Sequence, residues 1–196
     1  MMRYLHGLQM PKHIGKTAGI DWNAIIDLCK NSNGDHNTVT SVVDRSEAEA
    51  DGPLLKSYRE IISTWQKAKY DLNLIEWWDY YPGEHFDISV QDRFAEIVNA
   101  DPLRVFVSEV MPGHSVPYHW DVEDKEEEWL AQGKLVRYVC FMDKPKFAQV
   151  LILQDHCFYN IDQGEIYQWD DYRNFHAGTN AGEGPYYLFH FLGRPR

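Results

Sequence analysis

The chain has 196 residues, enough for one domain with a sizeable core, and its 44% hydrophobic and 25% charged residues are ordinary for a globular protein. A net charge of −11, with basic residues scattered and only Lys144 and Lys146 close together, argues against a nucleic-acid partner. Seven Trp and twelve Tyr favour a β-rich fold or an aromatic-lined pocket, because flat rings pack well on pleated surfaces.

Cys29, Cys140 and Cys157 form no CxxC pair and no even-numbered disulfide framework, which points to a reducing compartment. The first residues contain no apolar core of signal-peptide length, and no stretch approaches the roughly 18 apolar residues of a membrane span. The expectation is a cytoplasmic protein with no membrane partner. Oligomeric state is not legible.

In chain order, residues 21–29 predict a helix capped by Asp21, with apolar residues at 22, 25, 26 and 28. Residues 31–52 are polar, contain Asn33-Gly34 and predict a long loop. Leu54, Leu55, Tyr58, Ile61, Ile62 and Trp65 recur with helical rhythm over residues 54–70. Residues 74–81 read as a strand closed by Pro82-Gly83, and residues 90–99 as a helix.

From residue 104 the pattern changes to short strands between turn signals. Strands are predicted at 104–110, 115–120, 135–142, 149–154, 157–161, 164–169 and 185–192, with a charged helical insert at 124–132 and a polar loop after Trp169. The expected fold is mainly β with flanking helices: a double-stranded β-helix, or jelly-roll barrel, over residues 104–196. Residues 1–103 form a helical and mixed support region packed on one outer face, the whole being a single domain 1–196.

The chemistry centres on His119-Trp120-Asp121 and on His176, 57 residues further on. Residues i and i+2 of a strand share a face, so His119 and Asp121 converge on one point. His176 from a distant strand completes a two-histidine, one-carboxylate set. Such a set leaves coordination positions open, as iron(II) requires to bind a cosubstrate and dioxygen. A buried His–Asp hydrogen-bonded pair is the alternative reading of the same residues.

The run Met111-Pro-Gly-His-Ser-Val-Pro-Tyr-His119-Trp-Asp121 resembles the first metal-binding element of iron(II)/2-oxoglutarate dioxygenases, notably their prolyl and aspartyl/asparaginyl hydroxylase-like branches. Gly164-Glu-Ile-Tyr-Gln-Trp169 followed by His176-Ala-Gly-Thr-Asn180 resembles the element around their distal histidine. The resemblance covers residues 104–192. It implies catalytic metal ligation by His119, Asp121 and His176, with iron(II), 2-oxoglutarate and dioxygen as the reacting partners. It also implies hydroxylation of a C–H bond in a small-molecule or peptidyl substrate, an amino acid among them.

Many members carry Arg or Lys about ten residues after the distal histidine to bind the far carboxylate of 2-oxoglutarate; here position 186 is Tyr. A buried dicarboxylate still needs a cation. Arg137 is the substitute, since strand parity places it with Leu135, Val139 and Phe141 on an otherwise apolar face, although a structural salt bridge explains it equally well. Tyr186 and His190 share one face of the last strand and are expected to add hydrogen bonds to the cosubstrate. His114 and His156 read as loop or surface residues, Tyr118, Trp120 and Trp169 as core or pocket lining, and Asn180 as a brace for the loop after His176. The acidic run 123–128 reads as a solvated helix start or as part of a lid. A cupin-type metal dioxygenase or isomerase working without 2-oxoglutarate, and a non-catalytic β-barrel binding protein, are the competing readings.

Overall fold

In the computed structural model the described residues are 11–48, 53–121, 123, 125–169 and 171–196. In chain order the elements are β1 (Lys12–Lys16), α1 (Trp22–Lys30), β2 (Asp35–Thr38), α2 (Val39–Ala48), α3 (Pro53–Lys67), a 3-10 turn (Leu72–Leu74), β3 (Glu76–Tyr80) and α4 (Ser89–Val98). There follow β4 (Ala100–Val110), β5 (Ser115–His119), α5 (Glu126–Ala131), β6 (Val136–Phe141), β7 (Gln149–Leu153), β8 (His156–Phe158), β9 (Glu165–Gln168), β10 (His176–Asn180) and β11 (Tyr186–Pro195).

The strands form a seven-stranded sheet, β1-β9-β6-β11-β4-β3-β2, and a four-stranded sheet, β5-β10-β7-β8, with every pairing antiparallel. From β4 onward the chain passes back and forth between the two sheets. The central order β9-β6-β11-β4 over β5-β10-β7-β8 is that of a double-stranded β-helix, or jelly roll. The double-stranded β-helix expected from the sequence is thus present as two sheets packed face to face, with no strand pair joining them among the described residues.

Side-chain alternation decides what each face of the large sheet meets. Val105, Val107, Tyr138, Cys140, Phe189 and Phe191 point outward, where Trp22, Ile25 and Ile26 of α1 and Phe94, Ala95 and Val98 of α4 cover them. Val139, Phe141 and Leu188 point inward, against Leu151, Leu153 and Phe158 of the small sheet. Both faces of β6 are therefore covered, which explains why all its residues, Arg137 included, are buried. Helices α1 and α4 pack on this outer face, as expected, whereas α3 packs at the opposite side, with Ile61 and Trp65 against Ile75, Trp77 and Trp120. Among the described residues no helix is long and apolar enough to cross a membrane.

Three expectations change. The segment 31–52 is not a loop over its described part: β2 pairs with β3, and α2 follows at once. Reciprocal bonds start that helix, since Ser41 N donates to Thr38 Oγ1 at 3.1 Å and Thr38 N donates to Ser41 Oγ at 2.9 Å. Residues 49–52 lie outside the described residues. The division at residue 103 falls inside β4, and β1, β2 and β3 of the N-terminal part extend the large sheet itself. The polar stretch after Trp169 contains β10; His-Ala-Gly-Thr-Asn has no strand-like composition, but it is hydrogen-bonded on both sides, to β5 and β7.

Candidate metal centre

His119 ends β5 and His176 begins β10, and the antiparallel register sets the two residues opposite each other. Their rings lie 4.2 Å apart between centroids. Asp121, two residues beyond His119 and just past the strand, folds back toward both: its Oδ1 is 3.4 Å from His119 Nε2 and 3.7 Å from His176 Nε2. One ligand atom from each of the three residues lies within 4.8 Å of the others.

The hydrogen bonds behind the rings decide what the front presents. His119 Nδ1 lies 2.7 Å from the Pro117 carbonyl and His176 Nδ1 lies 3.1 Å from the Asn174 carbonyl. A carbonyl only accepts, so each Nδ1 carries the proton and each Nε2 turns a lone pair inward. Burial first, with Arg137 adding to it, lowers the His119 pKa to about 4 and puts His176 well below the usual imidazole value. Two neutral imidazole lone pairs and a carboxylate oxygen thus converge with no proton between them. That arrangement fits a cation, and its donor set suits a divalent transition metal.

The supporting shell is ionic. Arg137 pairs with the far oxygen of Asp121, Oδ2, and with Glu123, and its guanidinium lies 5.1 Å from the Trp169 ring. Trp169 in turn lies 4.6 Å from the His176 ring. Glu123 also accepts from Arg104 Nη1 at 2.8 Å, so two guanidiniums share one buried carboxylate. The acidic run is accordingly not all solvated: Glu123 is buried, and Glu126 is held by Tyr172 Oη and Arg173 Nε.

A cavity of about 400 Å³ opens beside the triad, whose three residues line it. One wall is apolar and aromatic, with Tyr58, Ile61, Ile62, Trp65, Trp77 and Trp120. The other carries Asp79, Tyr81, Arg104, Phe106, Ser108 and His190. Helix α3 is tied over the metal side by Trp65, whose indole N–H donates to the Tyr118 carbonyl at 3.0 Å and whose ring meets that of His119 edge-on at 6.1 Å.

Of the residues expected at the cosubstrate site, His190 lines this cavity, with Nε2 at 2.8 Å from Ser108 Oγ and its ring stacked on Phe106 at 4.7 Å. Arg137 does not line the cavity; inward parity was read correctly, but its charge is taken up by Asp121 and Glu123. Tyr186 does not line it either. It is sealed among Val139, Phe141 and Leu151, where burial raises its pKa well above the usual phenol value. Asn180 braces the β10–β11 turn, donating to the Val110 and Gly184 carbonyls at 2.7 and 2.8 Å. Trp120 lines the cavity, Trp169 lies beneath the triad, and Tyr118 is largely exposed. His114 lies in the β4–β5 connection and His156 begins β8; neither lines the cavity. Sequence reasoning missed Glu123, Arg104 and Ser108. Inward parity on β4, the parity of Phe106, was the signal available for the last two.

Strand order and side-chain convergence define the class: a double-stranded β-helix protein with a candidate two-histidine, one-carboxylate metal centre at the mouth of an aromatic cavity. No family model matches the chain, and no curated protein is similar to it in sequence. Among solved structures it is similar to a Pseudomonas putida prolyl-4-hydroxylase, at 13% identity and a TM-score of 0.41 over 89% of this chain and 99% of that one. It is also similar to a viral collagen prolyl hydroxylase from Paramecium bursaria Chlorella virus-1, in a complex with 2-oxoglutarate, at 16% identity and a TM-score of 0.42 over 86% and 99% of the two chains. A predicted oxalate decarboxylase from Thermotoga maritima has 11% identity and a TM-score of 0.38 over 61% of this chain and 81% of that one. At such levels the strand order itself, and not the likeness, defines the fold.

Proposed function

We propose that this chain is a non-haem iron(II) oxygenase that uses 2-oxoglutarate and dioxygen to hydroxylate a C–H bond of an amino-acid or peptidyl substrate. The observation that carries the reading is the convergence of His119 Nε2, His176 Nε2 and Asp121 Oδ1, with both Nδ1 atoms occupied by backbone carbonyls. His119, Asp121 and His176 would hold the ion, and three protein ligands leave room for the 2-oxo acid and dioxygen. Bound iron(II) supplies the coupling of dioxygen reduction to C–H hydroxylation and to oxidation of 2-oxoglutarate to succinate and CO₂.

The chain's own residues do the rest. Arg137 fixes the Asp121 carboxylate from behind, so that Oδ1 stays turned to the histidines. Trp65, Trp77 and Trp120 keep water from the reacting face and give an apolar substrate body a surface. The polar wall bearing Arg104, Ser108 and His190 supplies the hydrogen bonds that orient charged or polar ends.

A second reading, a cupin-type dioxygenase or isomerase working without 2-oxoglutarate, is favoured by the sealed position of Tyr186 and by the commitment of Arg137 to two carboxylates. Anaerobic titration of 2-oxoglutarate into iron(II)-loaded protein separates the two. A saturable visible charge-transfer band, absent in His119→Ala, supports the oxygenase. Stoichiometric iron without a band moves the assignment to the second reading, and a wild-type protein that takes up no iron sinks both.

A further inference from the structure

We propose that the outer face of the large sheet carries a second ligand site, built around Glu109, that takes a quaternary ammonium ion; it makes no use of the metal centre. Alternation turns Asp79 and Ser108 into the metal cavity and their neighbours Trp78 and Glu109 to the other side of the sheet. Register then sets Trp78, Glu109 and Tyr187 in one row across β3, β4 and β11, with Tyr80 two residues beyond Trp78. Beside the C-terminus of α1 this row borders a cavity of about 460 Å³, which Met111 and Pro185 also line.

Glu109 is the reason to expect a cation there. It is 7% exposed, and its partners are two phenols: Tyr80 Oη donates to Oε2 and Tyr187 Oη donates to Oε1. No cation among the described residues pairs with it. Lys30, at the rim of the cavity, lies 3.4 Å from Asp27 Oδ1 instead. A buried carboxylate is costly without an opposite charge, because hydrogen bonds from neutral donors spread its charge and do not cancel it. The groups around it feel that charge: burial first and Glu109 second push the Cys29 thiol up to about 12 and raise both phenols above their usual value.

The lining decides the kind of cation. Each Glu109 oxygen already accepts a hydrogen bond, and the remaining walls are aromatic or apolar, from Trp78, Tyr80, Tyr187, Met111 and Pro185. A primary ammonium brings three N–H donors, more than such walls satisfy. A quaternary ammonium brings none. Its methyl groups suit apolar walls, and its charge is attracted by the carboxylate and by the aromatic rings together. His36 stacks on Trp78 at 4.6 Å between centroids and so holds the indole in place.

The test is calorimetric titration of wild type, Glu109→Gln, Trp78→Leu and Trp65→Phe, after circular dichroism confirms folding. The probes are choline and 3,3-dimethyl-1-butanol, which has the shape of choline with a neutral carbon in place of its nitrogen. Wild type is expected to bind choline at least about tenfold more tightly than the alcohol. Glu109→Gln removes the charge, keeps the shape and should abolish that preference; Trp78→Leu keeps the charge and should reduce it. Trp65→Phe changes the metal cavity and should leave the preference intact. Equal or no binding of the two probes by wild type overturns the proposal, as does a preference that Glu109→Gln leaves intact or that Trp65→Phe abolishes. Should Glu109→Gln fail to fold, Trp78→Leu decides the matter, since an undiminished preference in that variant overturns the proposal as well. A third probe, Nα-acetyl-Nε-trimethyllysine amide, identifies the source of the cation. Tighter binding than choline assigns the site to a methylated lysine side chain, and weaker binding assigns it to a free choline-like molecule.

Discussion

Arg137 grips Asp121 by the carboxylate oxygen that the two histidines do not face: Oδ2 pairs with the guanidinium, and Oδ1 lies 3.4 Å from His119 Nε2. The arginine that sequence parity turns into the core therefore serves a candidate metal ligand and not the cavity. Its second partner, Glu123, hands the same charge network on to Arg104 at the cavity wall.

Replacing Arg137 by Met leaves the half-buried Asp121 without its cation and the buried Glu123 with Arg104 alone. Breaking a buried pair by removing one partner costs about 3–5 kcal/mol. Chemical denaturation is expected to show a loss of that order, and metal titration a fall in affinity of roughly 10–100-fold, as for other residues that orient metal ligands. Unchanged affinity in a folded Arg137→Met protein would show that Asp121 needs no such support.

His176→Ala removes one of three converging ligand atoms. Wild type is expected to gain melting temperature on adding iron(II) or nickel(II), because an ion that binds only the folded state stabilises it by mass action. The variant should show little or none of that gain and should retain less than stoichiometric metal by elemental analysis. Equal metal-induced shifts in both proteins would remove His176 from the ligand set.

Burial, reinforced by Arg137 and Arg104, lowers the His190 pKa from 6.5 to about 3. Because the folded value lies below the unfolded one, the unfolded chain binds more protons throughout that window. His190 therefore contributes stability that is complete above pH 6.5 and is lost as the pH falls toward about 3. Thermal melts of metal-free protein should decline over this range, and His190→Asn, which does not titrate, should decline less. Parallel profiles for the two proteins would contradict the assignment.

Trp65 joins α3 to β5 by one hydrogen bond, from its indole N–H to the Tyr118 carbonyl at 3.0 Å. Trp65→Phe keeps most of the apolar body and removes the donor, at an expected cost of about 1 kcal/mol in denaturant unfolding. Trp65→Ala also empties a buried site in the Ile61–Ile75 cluster and should cost about 3–5 kcal/mol. If the phenylalanine variant loses as much as the alanine variant, the bond and not the packing holds the helix.

The strands of the jelly roll were legible wherever one face was consistently apolar, as in Val139 and Phe141 of β6 or Leu151 and Leu153 of β7. Strand β10 was not, because Ala177, Gly178 and Thr179 carry no strand signature and their place is fixed by neighbours on both sides. Strand β2 and helix α2 were hidden for the same reason: Asn37 is polar yet buried, its amide meeting Asp79 across the sheet.

By itself the sequence determined the local terms: the His119–Asp121 spacing, the inward parity of Arg137 and the turn signals that cut the second half into strands. These follow from periodicity along one strand, which needs no knowledge of partners. Only the tertiary structure decided that His176 stands opposite His119, that Glu123 folds back between Arg104 and Arg137, and that Trp65 closes over the triad. Each of those contacts joins residues that the chain brings together only through sheet register and helix packing. Their energies depend on burial and partner charge, which no single strand carries.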